Sequence, residues 1–309
     1  MKIFACALIA VVASCGTNDP TSDPNLLPGF KPGPAPANGM QIIMPAIRGL
    51  EPGTSEELCS VTNIQVTDKI DVKKLSVVQG TAGHHAALYF TMIPSTEDAH
   101  ICTDADMVNY RFVGAATTEM DNETPSGIAF EIPAGAYLAV QQHFINAADN
   151  AVDTQTAINL YYTDPGAQFT PSHGLAFLNT TLDLKPGVNA LDVHCTMQND
   201  VKMWATGPHM HKYGTSFTGT WTHNGVATSI SSEATWEAPW EFELPLTTYD
   251  TASPLEFFKG DTVDVHCEWN NTSATDLHFG DEMCVLFGMT IDDTGLGSVA
   301  CDDGSWIAF

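Results

Sequence analysis

Tyr137-Leu138-Ala139-Val140-Gln141-Gln142-His143-Phe144 is a mostly apolar run flanked by Pro/Gly and Asn/Asp clusters, which is how a β-strand reads in sequence. Alternate residues of a strand share a face, so Gln141 and His143 project together while Val140, Gln142 and Phe144 oppose them. A polar pair on one face of an otherwise apolar strand needs a partner or a cavity. Similar short runs rich in Val, Ile, Phe, Tyr and Thr recur at Lys74–Val78, Ala86–Thr91, Tyr110–Val113, Ala157–Tyr162, Leu191–Cys195, Ser216–Thr222, Thr262–Trp269 and Cys284–Ile291. Few segments keep a 3.6-residue period, so the pattern predicts an all-β, antiparallel protein of the sandwich or jelly-roll kind. At 309 residues and 44% hydrophobic, the chain is long enough for two cores. The turn-rich stretch Thr163-Asp164-Pro165-Gly166-Ala167 divides it into an N-terminal domain, 39–164, and a C-terminal domain, 165–309.

Histidines are spread over both halves in a pattern that suits metal binding. The first half holds Gly83-His84-His85 and Gln141-Gln142-His143; the second holds His209-Met210-His211 and Asp281-Glu282-Met283-Cys284. On a strand, His209 and His211 share one face and Met210 takes the other, the spacing for two imidazoles on one metal. His84 and His85 are adjacent, and a regular strand would separate them; Gly80 and Gly83 permit an irregular start that lets both reach one ion. Met283 diverges from Cys284, so the cysteine can bond inward while the thioether faces a metal. A thioether is a poor ligand for zinc or calcium and a good one for copper, above all cuprous copper. Taken singly, a histidine pair is more often surface or structure than ligand, and a lone strand methionine is more often core; the combination is what points to metal. His100, His173, His194, His223, His266 and His278 show no such arrangement and read as structural or solvated, with His278 the nearest to an exception.

The start, Met1 to Cys15, has a lysine, a short apolar core and small residues before a cysteine, the form of an export signal. Val12-Ala13-Ser14-Cys15 resembles a bacterial lipobox, which would make Cys15 a lipidated N-terminus at the cell envelope; ordinary signal cleavage, giving a secreted or periplasmic protein, is the alternative. Residues 16–38 are rich in Pro, Gly, Asn and Asp and read as a tether. Export makes the remaining six cysteines, Cys59, Cys102, Cys195, Cys267, Cys284 and Cys301, more suited to disulfides than to metal. Lys+Arg 11 against Asp+Glu 37 gives a net charge of −26, which excludes nucleic acid as a partner and leaves a lipid anchor as the only membrane contact.

In order and separation, Gly83-His84-His85, Gln141-x-His143, His209-x-His211 and Asp281-Glu282-Met283-Cys284 resemble the copper type II, ascorbate-dependent monooxygenases, the family of peptidylglycine α-hydroxylating and dopamine β-monooxygenases. The resemblance covers about residues 40 to 305, and Leu184-Lys185-Pro186-Gly187 matches a turn that begins a family strand. It implies two jelly-roll-like sandwiches facing each other across a cleft, with two copper ions per chain. His84, His85 and His143 would hold the electron-storing copper, and His209, His211 and Met283 the oxygen-binding one, with Gln141 associated with electron transfer. It also implies the pairings Cys59–Cys102, Cys195–Cys301 and Cys267–Cys284. The chemistry implied is hydroxylation of an sp3 C–H bond of a small organic substrate, using O2 and ascorbate or a similar one-electron reductant.

Peptide-amidating members carry an arginine two positions before the first histidine of the H-x-H pair, with an asparagine and a tyrosine after the Met-Cys dipeptide. This chain has Gly207, Val285 and Phe287 there. Glycine cannot replace a bidentate carboxylate reader, so glycine-extended peptides are not the expected substrate and the pocket is expected to be apolar. Two further readings stand beside the hydroxylase: an envelope protein that sequesters or senses copper without turnover, and an adhesive β-sandwich lipoprotein that binds none.

Overall fold

The computed structural model describes residues 26–308, apart from 96–98, 104, 105, 107, 108, 119, 120, 242 and 243. The export signal, Cys15 and the start of the tether lie outside the described residues. The fold is all-β, as the strand pattern predicts, with a 3-10 turn at Ala238–Glu241.

The first half is two sheets packed face to face. One runs Gly39–Ile43, Thr156–Tyr162, Ile70–Gln79, Ile128–Ile132 and Thr170–Ser172 in spatial order; the other runs His100–Ile101, Ser55–Gln65, Tyr137–Ile145, Gly83–Thr91 and Arg111–Thr117. Inward-facing residues such as Leu75, Leu88, Ile132, Leu138, Ile158 and Leu160 make their common core. Burial of this kind drives the fold, at roughly 25 cal/mol per Å2 of apolar surface.

The second half repeats the plan. One sheet is ordered Thr247–Thr248, Val201–His209, Val285–Ile291, Gly174–Leu178, Val299–Asp302 and Ser305–Ala308, and it packs on a four-stranded sheet of Gly187–Thr196, Thr262–Asn271, Gly214–His223 and Val226–Glu233. Phe177, Phe217, Phe257, Trp269 and Leu286 fill the space between them.

All three implied disulfides are present: Cys59–Cys102, Cys195–Cys301 and Cys267–Cys284. They indicate maturation in an oxidising compartment. No helix among the described residues is long and apolar enough to cross a membrane.

Two boundaries differ from the sequence reading. The tether ends earlier than residue 38: Leu27 is buried with its N–H on Gln155 Oε1, and Gln41 Nε2 reaches the carbonyls of Pro32 and Gly33. Proline-rich composition left that docking invisible. The turn at 163–167 is real, but Thr170–Ser172 beyond it still pairs, in parallel, with Ile128–Ile132 of the first half. The halves therefore share a junction, in which Trp204, Ala205, Met289 and Ile291 of the second half pack into the first half's core. Trp204 lies tilted against Phe130, ring centroids 6.3 Å apart, and donates its indole N–H to Ser172 Oγ.

Candidate metal centre

The central strand Tyr137–Ile145 places His143 directly between His85 on one neighbouring strand and Glu57 on the other. Directly opposed residues share a face, so these three side chains meet. The next row along the same face joins Gln141 with Ala87 and Cys59.

His84 joins them through a bulge. His143 pairs with His85, but Phe144 pairs with Gly83, so His84 is the extra residue on its strand. A bulge re-aims a side chain that regular alternation would send to the far side. Upstream, Ala82 adopts φ 68° and Gly83 donates its N–H to the Gly80 carbonyl, completing the irregular start. His84 Nδ1 and His85 Nδ1 are 3.1 Å apart, and the three ring centroids lie 5.0–5.3 Å from one another. Each imidazole offers one nitrogen, all within 4.8 Å of one another. Two nitrogens bound tetrahedrally at about 2.0 Å from one ion sit about 3.3 Å apart, so the 3.1 Å pair fits a first-row metal. Ser55 Oγ holds His143 Nε2 at 3.1 Å, which orients the ring.

Charge at this cluster is set by burial. It holds His85 down to about 3, with His143 and then His84 pushing the same way, and holds His143 down to about 4, with His84 adding. Both imidazoles are neutral at pH 7 and keep a lone pair for a metal. Around them, Tyr89 donates its hydroxyl to Gln141 Oε1, and Gln141 donates its amide to Glu57 Oε2. Glu57 Oε1 is 4.0 Å from His85 Nε2. Burial raises the Glu57 carboxyl, and burial followed by Glu57 raises the Tyr89 phenol.

The second group forms where one strand runs out. Val201–His209 ends at His209, so His211 lies just past the strand, yet the alternation continues: Met210 is fully buried in the core and the two imidazoles converge. His209 Nε2 and His211 Nε2 are 3.2 Å apart, again the separation of two nitrogens on one tetrahedral ion. His211 Nδ1 lies 3.1 Å from the Asp281 carbonyl. A carbonyl only accepts, so Nδ1 carries the proton and Nε2 the lone pair.

Met283 sits just before the Val285–Ile291 strand. It packs with Leu178 and Phe287 against Ala176, Val285 and Ala300. Val285 lies opposite His209 and Phe287 opposite Gly207, so this apolar cluster is the wall beside His209, whose ring is 5.8 Å from Phe287. Cys284 meanwhile turns into the core and its disulfide. Gly207 offers no carboxylate reader: a Cβ there would stand 2.6 Å from Leu246 Cδ2, so a leucine fills the place.

The two groups share one electrostatic setting across the halves. His209 is held well below the usual imidazole value by burial, then by His211 and by His85 of the other half. Burial also lowers His211. Glu241, 4.0 Å from His211, is pushed up to about 7 by burial, then by Glu282 and by Glu57 of the other half, with Lys212 opposing.

The remaining histidines sort differently. Each of the six lies against an aspartate: His100 with Asp106, His173 with Asp292, His194 with Asp264, His223 with Asp261, His266 with Asp192 and His278 with Asp183. His278 is thus not a third member of the second group. Sequence reasoning missed Ser55, Glu57, Tyr89, Glu241 and Glu282, whose places come from register and tertiary packing; the Glu282-Met283 adjacency was the one available signal.

No protein family and no curated protein matches the chain. Among solved structures, it is similar over 84% of its length to the major capsid protein P2 from bacteriophage PM2, covering 99% of that chain at 10% identity with a TM-score of 0.37. It is similar over 83% to PNGase F, a glycosylasparaginase from Flavobacterium meningosepticum, covering 97% of that chain at 9% identity with a TM-score of 0.35. At such scores neither likeness carries a functional argument.

Proposed function

We propose that the chain is a copper-dependent monooxygenase of the ascorbate-dependent type II kind, acting on an sp3 C–H bond of a small organic substrate. The observation that carries this reading is the pairing of two unlike donor sets: three imidazoles in one half, and two imidazoles beside a thioether-bearing segment in the other. Neutral imidazoles suit copper in either valence, and a thioether favours the cuprous state. Copper, when bound, supplies one-electron redox chemistry and oxygen activation, with ascorbate or a similar donor as the source of electrons.

The chain's own residues do the rest. Ser55 and the Asp281 carbonyl orient His143 and His211. Burial keeps His85, His143 and His209 unprotonated and restricts water around them. Leu178 and Phe287, backed by the buried Ala176 and Val285 and with Leu246 over Gly207, present apolar surface to a substrate and no cation to a carboxylate. Lipid attachment at Cys15 would hold the enzyme at the bacterial cell envelope.

Oxygen uptake tests the proposal. The copper-loaded protein should consume O2 with ascorbate in step with hydroxylation of a member of a panel of small amines, alcohols and acids, and His211→Ala should abolish the coupling. Stoichiometric copper without coupled uptake across the panel would identify a copper-sequestering protein instead. Turnover of a glycine-extended peptide would overturn the substrate reading.

A further inference from the structure

Glu282 is fully buried and bears no ion pair among the described residues. Its carboxylate is nevertheless the most heavily bonded group near the metal groups. Oε2 accepts the backbone N–H of His211 at 2.9 Å, the indole N–H of Trp269 at 3.0 Å and the backbone N–H of Met283 at 3.4 Å, while Oε1 accepts the Tyr213 N–H at 2.7 Å. An ionised carboxylate is an acceptor at both oxygens, which a carboxamide of the same shape is not. Burying it is costly unless such bonds repay the desolvation.

The donors belong to three separate pieces of chain. His211 and Tyr213 follow the Val201–His209 strand, Met283 precedes the Val285–Ile291 strand, and Trp269 lies on Thr262–Asn271 of the facing sheet. The Cys267–Cys284 disulfide already ties the Met283 segment to that same facing strand. It does not touch the histidine segment. Among the described residues the carboxylate is bonded to the backbones of both His211 and Met283, 72 positions apart in sequence, and it adds to the Asp281 carbonyl's contact with His211 Nδ1 and to the His209–Val285 ladder pair.

From this geometry we infer that Glu282 is the positioning residue of the second metal group, fixing the Met283 thioether against the His209–His211 pair. The inference rests on reading Met283 as a ligand. Its role is exerted through the backbone, so removing it should loosen the sulfur ligand selectively and leave His84, His85 and His143 untouched.

The test is anaerobic Cu(I) loading of the full disulfide-bonded chain, read by copper stoichiometry, competitive affinity and sulfur scattering in X-ray absorption. Wild type should bind two coppers with a sulfur neighbour on one of them. In Glu282→Gln, an amide NH2 faces N–H donors; the sulfur signal should vanish and the affinity of one copper fall about 10- to 100-fold, with the other unchanged. Glu282→Asp should restore part of both. Glu282→Gln with full sulfur scattering and both affinities intact would overturn the inference. Should Glu282→Gln not fold, Trp269→Phe removes one donor and keeps the carboxylate: a weakened sulfur-bearing site supports the inference, and an unchanged one overturns it. Wild type with two coppers and no sulfur neighbour would instead defeat the ligand reading of Met283, and the inference with it.

Discussion

Histidine is the residue on which the account turns, and its neighbours separate structure from site. Six imidazoles lie against aspartates, whereas His84, His85 and His143 lie against one another, as do His209 and His211. The groups themselves were legible in the sequence, because H-H, Q-x-H and H-x-H spacings are local. Glu57, Tyr89 and Ser55 were not, since nothing local says that a glutamate 86 positions earlier will pair across a ladder with His143. The buried imidazoles make a testable pH dependence in metal-free protein. Folding holds His85 and His143 at about 3 and about 4, whereas an unfolded imidazole titrates near 6.5. Between those limits the unfolded state binds more protons, so stability is full above 6.5 and falls as the pH drops. Urea midpoints with chelator present should fall from pH 8 to pH 4, and His143→Gln should lessen that slope by about one proton. A slope unchanged by His143→Gln would contradict the burial of that imidazole.

At the scale of elements, each apolar run named from the sequence falls on an observed strand, although Ile128–Ile132 was not among them. Ser55–Gln65 escaped because Glu56, Glu57, Thr62 and Asn63 interrupt its alternation, although it is a long strand and carries two of the site's polar neighbours. The irregular start of Gly83–Thr91 was legible from its glycines, and the structure supplies its form, a bulge at His84. Gly83 is there because space is lacking: a Cβ would stand 2.2 Å from Gln79 Cβ and 3.0 Å from the Gly80 carbonyl oxygen. Neither neighbour is the free end of a flexible chain. Gly83→Ala should therefore shift the bulge, cost about 1–3 kcal/mol of stability, and lower copper binding at the three-histidine group alone. Denaturant unfolding and copper counting on the same preparation check both halves of that expectation.

On the scale of the whole molecule, two sandwiches follow from strand pattern and length, and a facing arrangement is what the family resemblance implies, but the junction between them follows from neither. Trp204 reads in sequence as an ordinary strand residue of the second half, yet it packs in the first half's core beside Phe130. The same strand ends at His209, five residues or about 17 Å further on, so the junction that Trp204 makes also anchors the strand that carries the second histidine group. Trp204→Ala should cost about 3–5 kcal/mol and, by loosening the halves, expose the segment around residues 163–173 to limited proteolysis. Equal stability and an unchanged digest would show that the halves are held without it.

Copper stoichiometry tests the central claim most directly, because it asks whether both donor sets hold metal. Equilibrium dialysis of the purified chain against buffered Cu(I), followed by elemental analysis, should give two coppers per chain. His84→Ala/His85→Ala and His209→Ala/His211→Ala should each retain one, and the four combined should retain none. A wild-type chain that binds no stoichiometric copper, or whose bound copper is indifferent to these substitutions, would contradict the account.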